Sequence, residues 1–325
     1  MIFRKAYLLP VIIIGLLASA LLPTLEARDD TAGRVARREI AITFDDLPGV
    51  QMAGGSCNPK AFEELNRKLI ISLTLHKIPA LGLVVESRLC EEKKAALAGL
   101  LGMWLDAGLD LGNHSFSHPD LNNTALSIYK ADVIRGEATV QRLLRERGRK
   151  IKYFRHPYLH AGKDIETKRA FERFLFERGY QVAPVTIDNQ EWVFAEVYAR
   201  ALRRRDMVTA RRVGEGYIAY MEEVFDFFER LSVEVIGYEI KQVLLLHDNP
   251  LNADYLGRLV QMMRERGYKF VSLEQVLEDP AYRLPDTYAG PQGLSWLHRW
   301  SISKGNKMKE EPREPQWIRK LFEAR

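Results

Sequence analysis

Cysteine is nearly absent: Cys57 and Cys90 are the whole complement of a 325-residue chain. With no C-x-x-C spacing they exclude a zinc knuckle. In an exported chain an even pair suits one disulfide, two free thiols being the alternative. No G-x-G-x-x-G or P-loop glycine run follows a strand, which counts against nucleotide binding. An excess of one charge is also missing. The 48 Lys and Arg are interspersed with 43 Asp and Glu, a net charge of +5, and offer no argument for nucleic acid. A single long uncharged apolar run exists, over residues 6–22, behind Arg4 and Lys5. That order, with Ala18-Ser19-Ala20 after it and Leu25-Glu26-Ala27 as a poorer second cleavage point, is the pattern of a secretory signal. Residues 1–27 therefore read as a leader, and the protein as exported, periplasmic or secreted. The run falls slightly short of the roughly 20 apolar residues of a full span, so membrane attachment would come only through an uncleaved leader.

What remains has the ordinary composition of a soluble globular protein, 46% hydrophobic and 28% charged. The length suits one large domain or two ordinary ones. Short apolar runs alternate with amphipathic stretches. Strands are expected at 40–42, 80–85, 109–112, 151–154, 180–187, 242–246 and 269–271. Helices are expected near 60–77, 91–107, 125–147, 164–178 and 253–266, several ending at a glycine in C-terminal capping position. Strands alternating with helices imply parallel strands joined by right-handed crossovers. The stretch 193–240 is too long for one crossover and reads as a helical insertion of two helices, near 194–205 and 215–231, the second rich in core-type aromatics. Beyond residue 280 the alternation stops. The 281–325 tail, with Trp296, Trp300 and Trp317, is expected to pack over the domain, polymer or membrane-surface binding being the sharper alternative.

The chemistry lies in what each strand ends in. The first ends in Asp45-Asp46, then Pro48-Gly49 force a turn. Adjacent carboxylates repel, so something positive is expected nearby; a polar turn is the plain alternative. Successive strand side chains point to opposite faces, so both serve one site only where the strand ends. The third strand ends in Asn113-His114-Ser115-Phe116-Ser117-His118, the fourth in Arg155-His156-Pro157-Tyr158, the next in Asp188-Asn189-Gln190-Glu191-Trp192, and a late one in His247-Asp248. Parallel α/β folds gather strand C-termini on one face, where active sites form. An H-x-x-x-H spacing alone suits a surface pair; on a helical turn it would also put His114 and His118 on one face. With an Asp-Asp strand end on the same rim, two histidines and a carboxylate suffice for a catalytic divalent metal.

The segments TFDD, HSFSH, RHPY, D-x-x-E-W and LLLHD, in this order, resemble the five motifs of the polysaccharide deacetylase (NodB-homology) carbohydrate-esterase family, over residues 39–277. The resemblance implies a distorted (β/α) barrel, spanning about 35–280 with the insertion inside it. It implies metal-dependent removal of acetyl groups from amino sugars or polysaccharide of the chitin-oligomer, peptidoglycan or xylan type. By matching position, Asp46, His114 and His118 would hold one divalent ion; zinc, cobalt, nickel and manganese all suit these ligands. Asp45 would be the general base, paired with Arg155, and His247 the general acid. The Tyr158 backbone N–H would stabilise the oxyanion, and Trp192 and Leu245 would line an acetyl-methyl pocket. Two positions depart from the family pattern. Glu191 stands where the family usually has Asp before the Trp, a longer stem behind His247. His156 stands in the RHPY segment, where a structural role is expected. Three rivals remain: a metal-free amide hydrolase, a deformylase or deacetylase of a lipid-linked sugar, and a non-catalytic glycan-binding envelope protein on the same barrel.

Overall fold

A computed structural model describes residue 2, residues 38–50 and residues 58–324. The rest of the leader, and Cys57 with its proposed disulfide, lie outside the described residues. Strand β1 (Arg38–Leu47) organises the sheet. Its Ile-Ala-Ile-Thr-Phe core is β-branched and aromatic, and it is buried from Ile40 onward. Alternation sorts its side chains: Ile40, Ile42 and Phe44 join the apolar layer under the helices, while Ala41 joins a smaller inner cluster with Leu81, Leu83 and Val243. Thr43 and Asp45 share the parity of Ala41 and point inward.

Six further strands follow: β2 (Leu81–Val84), β3 (Asp110–Asn113), β4 (Tyr153–Phe154), β5 (Gln181–Val182), β6 (Gln242–His247) and β7 (Tyr268–Phe270). All pairings are parallel, in the order β5-β4-β3-β2-β1-β6, with β7 added at the start of β1. The chain after β5 then crosses from one sheet edge to the other. Ala183 donates its N–H to Phe154, while Ile187 bridges Leu244 of β6. That crossing closes the sheet into a distorted barrel.

Helices α1 (Pro59–His76), α2 (Lys94–Asp106), α3 (Leu126–Arg135), α4 (Ala138–Arg145), α5 (Ile165–Glu177), α6 (Glu191–Arg203), α7 (Met207–Ile236) and α8 (Pro250–Glu265) surround it, followed by α9 (Leu273–Val276), α10 (Trp296–Ser303) and α11 (Gln316–Glu323). The face expected of α1, Phe62, Leu65, Leu69 and Leu73, is buried.

Three expectations are corrected. The strand expected at 180–187 pairs regularly only at its first two residues, because it must leave β4 to reach β6. The helix expected over 125–147 is two, broken at Gly136. A Cβ at Gly136 would lie 2.4 Å from the Ser115 carbonyl carbon, so the break lets the histidine loop sit against the helix pair. The second insertion helix is far longer than expected, 30 residues, and buries Tyr217, Tyr220, Phe225 and Phe228. The tryptophan-rich tail is no exposed platform: Trp300 is 1% exposed and packs edge-on against Tyr282, and Trp317 covers Gly216 of α7 under the Arg212 guanidinium.

Candidate metal centre and active site

Register builds the site. In the parallel β1–β6 pair Asp45 stands level with His247, and Asn113 at the end of β3 stands level with Val84 and Phe154. Each next residue, His114 or Arg155, therefore arrives at the same rim.

Asp46 reaches that rim by a backbone irregularity. β1 continues past Asp45, and simple alternation would turn Asp46 away. Instead Asp46 has φ 73° and the β1–β2 register slips between Phe44 and Leu47. The left-handed residue brings both carboxylates to one side.

The histidine loop is likewise not the helical turn expected from its spacing. Ser115 (φ 71°) and His118 (φ 57°) are both left-handed, and the two imidazoles meet edge-on with centroids 4.9 Å apart. Two side chains shape the loop. Asn113 accepts from the Ser115 N–H, and Asp132 of α3 accepts from the N–H groups of Phe116 and Ser117 and from the Ser117 hydroxyl. His114 Nδ1 lies 2.9 Å from the Arg155 carbonyl oxygen, a bond that needs the proton on Nδ1 and leaves the Nε2 lone pair free.

Ligand atoms of Asp46, His114 and His118 lie within 4.8 Å of one another. Asp46 Oδ1 is 3.6 Å from His118 Nε2 and 4.0 Å from His114 Nε2. It is buried with no hydrogen-bond partner among the described residues, while Arg88 holds Oδ2 at 3.1 Å. Burial opposes the Asp46 charge, yet Arg88 and the surrounding histidines bring its pKa down to about 2. Burial lowers both imidazoles, His118 to about 4 with help from His114. An ionised carboxylate facing two neutral imidazoles, with one oxygen left unpaired, is a donor set that fits a divalent cation.

Beside it, Arg155 is fully buried and makes four hydrogen bonds. It donates to Asp45 Oδ1 and Thr43 Oγ1, both at 2.7 Å, and to the carbonyls of Ala183 and Pro184. Arg155 is thus the positive group expected near the two aspartates, joined by Arg88, which the motifs did not reveal. Across the rim His247 Nδ1 contacts Glu191 Oε2 at 2.9 Å. Glu191 opens α6, where the helix N-terminus favours a carboxylate. Its other oxygen accepts from Asn249 and Asn252, so the longer side chain still reaches the imidazole and is fully hydrogen-bonded. Burial pushes the His247 pKa down, but the Glu191 bond and charge and the two aspartates outweigh it, to about 9.

Leu245 forms an apolar patch with Leu159 and Val185. Trp192 lines the same cavity from its rim, 45% exposed, edge-on to Phe322 of α11. Tyr158, also left-handed at φ 57°, lays its ring edge-on to His118. His156 is buried against Phe154 and Phe171 and takes a structural place. The cavity, about 950 Å³, is also walled by tail segments 291–294 and 308–313, which no motif pointed to. One tail residue, Glu311, adds its charge to the effect of burial on Asp188, whose carboxyl rises to about 7.

Residues 32–171 match the family described as Polysaccharide deacetylase. A peptidoglycan-N-acetylglucosamine deacetylase of Bacillus cereus is 20% identical over 252 residues, covering 76% of this chain and 71% of that protein. Among solved structures, a polysaccharide deacetylase from Bacillus cereus is 18% identical with a TM-score of 0.48, covering 73% of this chain and 92% of that chain. A peptidoglycan deacetylase from Bacillus subtilis is 21% identical with a TM-score of 0.45, covering 75% and 91%. A CE4 family pseudoenzyme from Bacillus anthracis is 13% identical with a TM-score of 0.46, covering 74% and 66%. Glu191, Trp192, Leu245 and His247 fall beyond the segment matched by the family, which holds both aspartates, both histidines and Arg155. Residues 32–171, which hold the two aspartates, the two histidines and Arg155, are thus similar to the polysaccharide deacetylase family.

Proposed function

We propose that this protein removes acetyl groups from amino sugars of a glycan, with one divalent ion held by Asp46, His114 and His118. The observation that carries the reading is the placement of Asp45 and His247 level on adjacent strands, at the rim where the three ligand side chains converge. A bound ion there supplies Lewis acidity toward the acetyl carbonyl; zinc is the first choice, with cobalt, nickel and manganese also compatible.

The chain's own groups divide the remaining work. Arg155 occupies Asp45 Oδ1, so Oδ2 is the oxygen that takes a proton from the attacking water. Glu191 holds His247 Nδ1, so Nε2 faces substrate and returns a proton to the departing amine, which leaves poorly without one. The Tyr158 N–H donates to the oxyanion. Leu245, with Leu159 and Val185, receives the acetyl methyl group, and Trp192 closes the same pocket from its rim. The leader would carry the enzyme out of the cytoplasm, to the periplasm or beyond, where acetylated wall glycans occur.

The test is acetate release from chitin oligomers, peptidoglycan fragments and acetylated xylan, with chelator and with added metal. We expect release that chelator abolishes and metal restores, and at least a thousandfold loss in Asp45→Asn with metal binding and fold retained. Undiminished turnover in that variant sinks the mechanism. Absence of acetate from every substrate, with metal bound, favours a lipid-linked or other amide substrate or a glycan-binding role.

A further inference from the structure

The C-terminal tail lies outside the family segment, yet it touches the part of the site with the least tolerant backbone. Tyr158 and Leu159 are consecutive non-glycine residues at positive φ, 57° and 55°. Such a pair persists only where its surroundings over-determine it. Local bonds contribute: Leu159 and His160 donate their N–H groups to the His156 and Pro157 carbonyls. The decisive support comes from far along the chain. Gly293 lies against the Tyr158 carbonyl so closely that a Cβ there would fall 1.8 Å from its oxygen. The same tail segment is stitched down on both sides. Gly290 donates its N–H to Gly162 and accepts from the Asn122 side chain, and Trp296 donates its N–H to Val185. The strap thus runs from the loop after β4 to the strand that closes the barrel, and presses on the Tyr158 turn between them.

We propose that Gly293 is a positioning residue: the tail strap 290–296, through its glycine contact, holds the Tyr158–Leu159 turn in the conformation that presents the Tyr158 N–H to the reacting carbonyl. The catalytic part of this claim rests on the function proposed above; the structural part does not. A methyl group at 293 forces the Tyr158 carbonyl to move by about an ångström, and displacement on that scale costs on the order of a hundredfold in rate. Gly290 is a built-in contrast. The three atoms nearest a Cβ there all belong to the Tyr288 ring tip, the closest at 2.8 Å, a side chain that can swing aside by giving up its hydroxyl bond to the Gln292 carbonyl.

The experiment compares Gly293→Ala, Gly290→Ala and Asn122→Ala in the full chain. It measures kcat, KM, affinity for zinc by chelator competition, and hydrogen exchange across 156–162. Gly293→Ala is expected to lower kcat about a hundredfold, with KM and zinc affinity within about twofold, and to speed exchange in that loop. Gly290→Ala should change neither. Asn122→Ala, which loosens the strap without intruding, should fall between them, and it decides the matter if Gly293→Ala does not fold. Unchanged exchange and unchanged kcat in Asn122→Ala and in any folded Gly293→Ala would overturn the proposal. If the wild type releases no acetate, exchange alone decides whether the strap holds the turn: faster exchange upholds it and unchanged exchange refutes it, while the enzyme reading fails separately.

Discussion

At the scale of single residues the site runs on carboxylates given different partners. Asp45 is gripped by Arg155, Asp46 is shared between Arg88 and two imidazoles, and Glu191 is committed to His247 and two asparagine amides. The consequence for His247 has a definite sign. Its pKa, ordinarily near 6.5, is raised to about 9, so the imidazolium needed for proton donation persists through neutral pH. The same pairing stabilises the fold fully below the ordinary value and ceases to do so as pH rises through about 9. In Glu191→Gln the two stabilising contributions of Glu191 disappear and the effect of burial remains. The alkaline limb of kcat/KM is then expected to move down by about one pH unit or more. A pH profile of both proteins checks this, and a limb that stays in place would remove Glu191 from any role in tuning the acid.

At the scale of elements, the histidine loop shows what local sequence hides. An i, i+4 pair suggests a helical turn, but His114 and His118 meet through two left-handed residues in a loop tied down by Asp132. Asp132→Ala deletes three hydrogen bonds of the loop at once. It is expected to cost about 1–3 kcal/mol of stability, read from denaturant unfolding, and to weaken metal affinity by about tenfold or more. Full metal affinity in that variant would mean that the loop holds its shape by packing alone. The strand ends were legible because apolar runs stop abruptly at polar residues. Asp132 and Gly136 were not, because each looks like an ordinary helix residue until the loop is seen against it.

At the scale of the whole molecule, the tail is structural and the cavity depends on it. Trp300 sits at 1% exposure in the main apolar layer, and the residues that follow it wall the site. Trp300→Ala is expected to destabilise by about 3–5 kcal/mol, visible in the denaturant midpoint. A variant of unchanged stability that bound polymeric glycan more weakly would instead restore the surface-binding reading of the tryptophans. The sequence alone determined the alternation of strands and helices and which residues stand at the strand ends, since periodicity and abrupt polarity changes are local properties; the barrel was implied only by the resemblance of the motifs. Tertiary structure decided the rest: the left-handed turn at Asp46, the Arg88 contact, the crossing that closes the barrel, and the strap against Tyr158. Each of these joins residues distant in the chain or depends on a backbone angle that several residue types can adopt, and neither leaves a trace in local pattern.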